Sequence, residues 1–362
     1  MSLRWQVAFW LGAAAGLVLF LWLFRGILLP FVMGLALAYL LDPVADRLER
    51  LGMSRLWATL TILLGAVLVL AIALLTLAPI LIGQFQGFLE RLPGYVGRLR
   101  ELAGDAFDTR LAELLGVDED GPSFDELASE AAAWLGTVAA SIWSGGLALV
   151  NLVSLFVVTP VVAFYLLYDW DRMVAQVDSW VPRDHVETVR GLGRDIDRAM
   201  AGFLRGQGTV CLVLGVFYAV ALSMAGLNFG LLIGVVAGLI SFIPYVGTLV
   251  GFVLSVGVAI VQFWPEWLWV AVVAGIFAFG QFVEGNFLQP RLVGSSVGIH
   301  PVWLMFALFA FGSLFGFVGL LLAVPLAAAI GVLVRFGLAQ YKASPIYWGT
   351  NGSGPDQPSG GV

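Results

Sequence analysis

The sequence predicts an all-α integral membrane protein: a multispanning helical bundle with two broken, re-entrant helical hairpins in an inverted repeat, plus an amphipathic helical extramembrane segment. Three observations carry this. Of the 362 residues, 60% are hydrophobic and only 12% charged, with a mean hydropathy of +0.96, outside the usual composition of soluble domains. Apolar runs of about 20 residues, enough to cross a bilayer as a helix, recur along most of the chain. Two later runs of about 35 residues, too long for one span and short for two, are each interrupted mid-way by glycine or proline.

Residues 1–82 read as amino-terminal transmembrane helices forming a scaffold. Val7 to Phe24 and Ile27 to Leu41 are separated only by Arg25 and Gly26, a tight helical pair with Pro30 near the start of its second arm. Met1 to Phe24 is long for a signal peptide, and the chain re-enters apolar sequence directly after Arg25 with no small-residue cleavage site. The connection "DPVADRLERLGMSR" supplies Arg47, Arg50 and Arg55, and Leu56 to Ile82 is the next span, ending near Pro79. Residues 83–140 carry eleven acidic side chains against Arg91, Arg98, Arg100 and Arg110. Their amphipathic spacing, interrupted at "LPG" and "DEDGPS", predicts an acidic helical extracytoplasmic segment. Asp118, Glu119 and Asp120 lack the alternating ligands and glycine of a calcium loop and read as a solvated turn. Residues 141–168 form a further transmembrane helix, 169–206 a cytoplasmic amphipathic segment with six arginines, and 343–362 a disordered tail of linker-like composition. With the arginine-rich connections inside, both termini are cytoplasmic.

Residues 207–263 hold a span, Gln207 to Ala225, and a first broken hairpin, Phe229 to Phe263, interrupted at Pro244 in "LISFIPYVGTLVG". Residues 264–342 repeat the plan: Trp267 to Phe282 spans, and Val302 to Phe336 is interrupted at "FGSLFGFVG". The triplets Tyr245, Val246, Gly247 and Phe317, Val318, Gly319 match as aromatic, Val, Gly. A repeat of one crossing plus a hairpin takes opposite orientations in its two copies. In lipid, a backbone broken at Pro244, Gly247, Gly316 and Gly319 leaves polar groups that protein or water has to satisfy, so such breaks face a cavity and can bind a solute or ion. Gly226, Gly230, Gly234 and Gly238 recur every fourth residue as a flat helix face, suited to static close packing or to sliding.

Glu284, in "GQFVEGNFLQPR", is the leading candidate for chemistry, because a carboxylate at or near the end of a span is costly to bury and suggests function. Gln281, three residues earlier, shares its face if the helix persists; Asn286 and Gln289 lie close by. A low-dielectric cavity would suit Glu284 to carrying a proton; the alternative is an interfacial pair with Arg291. Gln207 is either a polar cavity residue or a helix-end amide. Enzyme chemistry is not expected. There is no phosphate-binding GxxxxGK[ST] loop or HExxH, and lone Cys211 supports neither a disulfide nor a cysteine metal cluster. "GSSVG", with Ser296 and nearby His300, formally matches a nucleophile elbow but lies between Pro290 and Pro301 in membrane-helical sequence. No cofactor, metal or nucleic-acid partner is expected.

The motifs "LLDPVADRLERLGMSR", "FIPYVGTLVG", "QFVEGNFLQPRLVGSSVGIHPVW" and "GFVGLLLAVPLAA", in this order, resemble the bacterial autoinducer-2 exporter family, also called PerM-type permeases. The resemblance implies a homo-oligomeric inner-membrane transporter working by alternating access. Family members are assigned to export of autoinducer-2 or to exchange of sodium for protons, so the implied partners are a small polar solute, H+ or Na+, and the lipid bilayer. The positions it carries over are Pro244, Tyr245 and Gly247; Gln281, Glu284, Asn286, Pro290 and Arg291; Gly298 and Pro301; and Gly316, Gly319 and Pro325. A passive channel or a membrane scaffold is the alternative reading.

Overall fold

The computed structural model describes residues 3–103, 146–244, 246–293, 300–344 and 347. In chain order its helices are α1 (Leu3–Leu23), α2 (Leu28–Arg50), α3 (Arg55–Ala103), α4 (Gly146–Ser179), α5 (Val186–Met224), α6 (Gly230–Ile240), α7 (Val246–Phe263), α8 (Trp267–Val283) and α9 (Pro301–Ala343). A wider, π-type winding continues α8 over Glu284–Val293. The described residues contain no strand, and six of their helices are long and apolar enough to cross a membrane. The protein is therefore an all-α, multispanning membrane protein.

Two helices run further than local sequence signals suggest. α3 continues for 49 residues through both Pro79 and Pro93, where the sequence predicts an end and an interruption. A proline removes one donor but does not end a helix whose other bonds persist. At 1.5 Å per residue α3 is about 74 Å long against about 30 Å of hydrocarbon, so part of it stands outside the membrane. α5 likewise joins the amphipathic stretch to the apolar one without a break between 206 and 207. The stripe of four glycines shortens to three, because Gly226 lies beyond the end of α5 at φ +72° with open space around it.

The described residues divide into two compact units. One comprises Pro30–Tyr168 and Gln207–Arg291. In its first part Asp42, Asp46 and Glu49 lie on one face of α2 at i, i+4 and i+7. All three accept hydrogen bonds from Arg55 at the start of α3, at 2.8, 3.0 and 3.0 Å. Arg55 Nε also donates to the Leu167 carbonyl of α4 at 2.9 Å. One guanidinium thus ties three helices together beside the apolar cluster Ala38, Leu63, Ala163 and Leu167. The connection itself is only Leu51–Ser54, with Gly52 at φ +95° closing the end of α2. In the second part α6 lies flat on α5: a methyl at Gly230, Gly234 or Gly238 would strike the backbone of Leu222, Ala219 or Gly215.

The other unit comprises Met1–Leu29, Asp169–Gly206 and Leu292–Val362. Arg190 grips Asp178 with two hydrogen bonds of 2.7 and 2.8 Å, which hold this carboxyl below the usual carboxylate range. Gly206 abuts the Leu292 carbonyl so closely that a methyl there has no room. Within α9, Gly316 adopts φ 61°, ψ −137°, a conformation open in practice only to glycine. Gly319 then abuts the Phe311 carbonyl, and Gly312 faces the Leu320 side chain. In a straight helix residues eight apart are about 12 Å apart, so the chain turns sharply at Gly316.

Arg55→Ala should lower the stability of the purified protein by about 1 to 2 kcal/mol, as expected for a networked but solvent-screened ion cluster, since its three carboxylate partners remain 30%, 48% and 36% exposed. Thermal unfolding in detergent measures this; an unchanged midpoint would remove the quartet from the stabilising core.

Candidate functional site

The break between α6 and α7 follows from Pro244, which has no amide hydrogen to continue the helix. The last turn of α6 closes on itself, with the amides of Ser241, Phe242 and Ile243 donating to the carbonyls of Ala237, Leu239 and Ile240. The Ser241 carbonyl accepts a bond from Gln207 Nε2 of α5 at 2.7 Å. Gln207 is only 2% exposed and lies within α5 rather than at its end. Its amide therefore satisfies backbone that the break would leave bare. Gly247 packs on the Ser241 backbone, and Gly251 on Ala237 and the Phe277 ring, so only glycine lets α7 return this closely along α6.

One turn into α7, Thr248 Oγ1 donates to Gln281 Oε1 at 3.0 Å. Gln281 Nε2 donates in turn to Glu284 Oε2 at 2.9 Å and more weakly to the Tyr218 hydroxyl at 3.4 Å. The other carboxylate oxygen accepts from Gln289 Nε2 at 3.4 Å. Here the local winding matters. Bonds that span five residues bring position 289 over position 284, whereas ordinary α winding would present 287 or 288. Tyr218 is fully buried, its ring stacked on Phe277 with centroids 4.5 Å apart and planes within 6°. It fits because position 280 is glycine; a methyl there would collide with the phenol.

Glu284 is half-buried, held by two neutral amides, and no ion pair engages it among the described residues. Arg291 lies instead over the Phe287 ring at 5.9 Å. A glutamine amide both donates and accepts, so the same frame holds a carboxylate or, after an amide flip, a protonated acid. Among the described residues this frame contains no fixed positive charge.

A second polar group secures the start of α6. Gln84 Oε1 of α3 accepts from the Leu232 amide at 2.9 Å, capping an otherwise open helix start. Gln262 Oε1 accepts from the Asn228 amide at 2.7 Å, and its Nε2 donates to the Gly226 carbonyl at 2.7 Å. The Phe229 ring meets Phe88 and Tyr95 edge-on, with the Arg91 guanidinium 5.8 Å from its centre. The part of α3 beyond Pro79 thus holds the first broken pair of helices.

The remaining expected positions are dispersed. Asn286 Nδ2 bonds back to the Phe282 carbonyl at 2.9 Å and does not reach Glu284. Pro290 and Arg291 are exposed on the π-wound segment. Pro301 opens α9 after His300, whose Nδ1 accepts from the Val302 amide at 3.3 Å. Gly319 and Pro325 are buried in α9, and Gly316 makes its turn. Tyr245, Gly298 and Ser296, like the acidic turn Asp118 to Asp120, lie outside the described residues. Sequence reasoning missed Tyr218 and Thr248: the first is a lone hydroxyl in an apolar run, the second stands inside the quoted motif but far from Glu284 in the chain.

The model for "AI-2E family transporter" matches residues 11–339. The chain belongs to the AI-2E transporter family. Its relatives agree: it is 30% identical over 322 residues to "Putative transport protein YrrI" of Bacillus subtilis (strain 168), covering 86% of each chain. It is 30% identical over 331 residues to "Putative permease PerM" of Escherichia coli (strain K12), covering 89% of this chain and 90% of that one. A cyanobacterial relative, "Putative transport protein sll0060" of Synechocystis, is 28% identical, with 85% and 87% covered. For this AI-2E family member, membership gives a transport class and a membrane setting.

Gly280→Ala should destabilise the protein by about 1 to 3 kcal/mol through overpacking against Tyr218, and Tyr218→Phe should relieve only the hydroxyl part of that clash. Thermal unfolding of the single and double variants measures the coupling; additive effects would contradict direct contact.

Proposed function

We propose that this family member is a secondary transporter that moves a small polar solute by alternating access, with Glu284 carrying the coupling proton or sodium ion. The observation that carries the reading is the Glu284 carboxylate, set in an apolar helix beside a broken one and framed by neutral amides alone. Such a charge needs a mobile cation for balance, because burial without a counter-charge is costly. Binding H+ or Na+ there neutralises it, and release restores it. Autoinducer-2 is the first solute to try, given the family's name, and sodium–proton exchange the first ion cycle.

In this reading the α6–α7 pair and the turned α9 are re-entrant hairpins of an inverted repeat, one in each copy, exposing backbone groups to solute. The paired triplets at 245–247 and 317–319 support the repeat. Arginines of 169–206 and of the α2–α3 connection support a bacterial inner-membrane orientation with both termini cytoplasmic. Homo-oligomers, expected of the family, would cover part of the exposed apolar helix surface.

The test uses proteoliposomes with a trapped pH indicator, given a sodium gradient or autoinducer-2 under an imposed proton gradient. Concentrative flux that collapses with ionophore is expected, and Glu284→Gln should reduce it to the protein-free background while leaving thermal unfolding unchanged. Coupled flux unaltered in Glu284→Gln would remove this residue from the cycle; flux that merely equilibrates solute would make the protein a channel.

A further inference from the structure

The unit made of Met1–Leu29, Asp169–Gly206 and Leu292–Val362 contains a cleft of about 560 Å3. Its walls are Leu192, Asp195, Arg198 and Ala199 of α5 and Val332, Arg335 and Phe336 of α9. Leu192, Val332 and Phe336 make one side apolar. Two guanidiniums and one carboxylate make the other, and that carboxylate is already taken: Arg198 donates to Asp195 Oδ1 at 3.0 Å. No ion pair engages Arg335 among the described residues. The cleft therefore carries a net positive charge beside a greasy wall.

Its depth in the membrane follows from the sequence. Arg335 is the first charged residue after the uncharged stretch Pro301–Val334, so it stands where the apolar span gives way to headgroups. Next to it Leu333, Val334 and Leu338 are 49%, 61% and 51% exposed, a surface for hydrocarbon chains rather than water. The facing part of α5 is amphipathic and carries Arg190, Arg194, Arg198 and Arg205 against Glu187, Asp195 and Asp197, a slight basic excess suited to an anionic bilayer surface.

We propose that this cleft binds the headgroup of an anionic phospholipid, its phosphodiester between Arg198 and Arg335 and its acyl chains along the apolar flank of α9. Forked guanidiniums match phosphate oxygens in pairs. The apolar wall distinguishes a lipid from free phosphate, which would gain nothing from Leu192 or Phe336. The bound lipid bridges α5 and α9 within this unit, and the proposal does not depend on the transport cycle.

Native mass spectrometry of the delipidated full chain in a neutral detergent tests it, with dioleoyl phosphatidylglycerol, dioleoyl phosphatidylcholine and inorganic phosphate as probes. Phosphatidylglycerol should be retained on the order of tenfold better than phosphatidylcholine, the scale of one to two basic contacts, and millimolar phosphate should not displace it. Arg198→Gln with Arg335→Gln should abolish the preference, and Arg335→Gln alone should weaken it. The double variant Arg47→Gln with Arg50→Gln, an equal loss of charge at exposed positions of α2, should keep it. Equal retention of both lipids, a preference untouched by the cleft variants, or an equal loss in the α2 control would overturn the site. Full displacement by phosphate would reduce it to an anion site and overturn the lipid assignment. Should the double variant unfold, the single Arg335→Gln decides the same question.

Discussion

Among the described residues the Glu284 carboxylate is held by two side-chain amides and no cation, and the helices around it are packed to supply those amides. Its partners come from three directions. Gln281 is three residues back on the same helix, and Gln289 arrives through the π winding. Thr248 reaches in from the far side of a helix break, through Gln281. Tyr218 closes the group from α5 and is admitted by a glycine. A polar cluster of this kind among apolar helices is costly unless each member is satisfied, and here Thr248, Gln281, Gln289 and Tyr218 satisfy one another and the carboxylate by hydrogen bonds.

The breaks are built with the same economy of side chains. At Pro244 the exposed carbonyl of Ser241 is covered by buried Gln207, while Gly247 and Gly251 let two helix arms lie against each other. At Gly316 the backbone itself takes a conformation that other residues avoid, and Gly319 makes room for the Phe311 carbonyl. The three-glycine face of α6 puts its backbone against that of α5 over two turns, a contact made of main chain with few side chains to interlock. The extended α3 adds the cap at Leu232 and the aromatic seat for Phe229, so a stretch beyond the apolar span also fixes a membrane-embedded pair.

Much of this is legible in the sequence. Hydropathy gave the helical membrane class, and the clustered glycines and Pro244 midway through runs too long for one span gave both break positions. Glu284 and Gln281 stood out as polar groups at a helix-compatible spacing. What stayed hidden depends on distance in the chain or on winding. Tyr218 and Thr248 join the site only through packing, and nothing in the spacing announces a switch from α to π winding that selects Gln289 over Asn286. Pro79 and Pro93 misled for a related reason: proline weakens a helix locally, but the continuity of α3 is decided by the contacts along it, including those of Gln84 and Phe88.

In the proposed transport cycle the Glu284 network faces a water-filled path and not lipid or a dry core. Cys211 is the chain's one cysteine, so a Cys211→Ala background permits single-cysteine probes. Rates of reaction with a charged, membrane-impermeant thiol reagent should be compared for Thr248→Cys, Glu284→Cys and, as the lipid-facing reference, Phe279→Cys, where the native ring is 57% exposed. Fast labelling at 248 and 284 and slow labelling at 279 are expected. Labelling at 248 and 284 as slow as at 279 would contradict such a path.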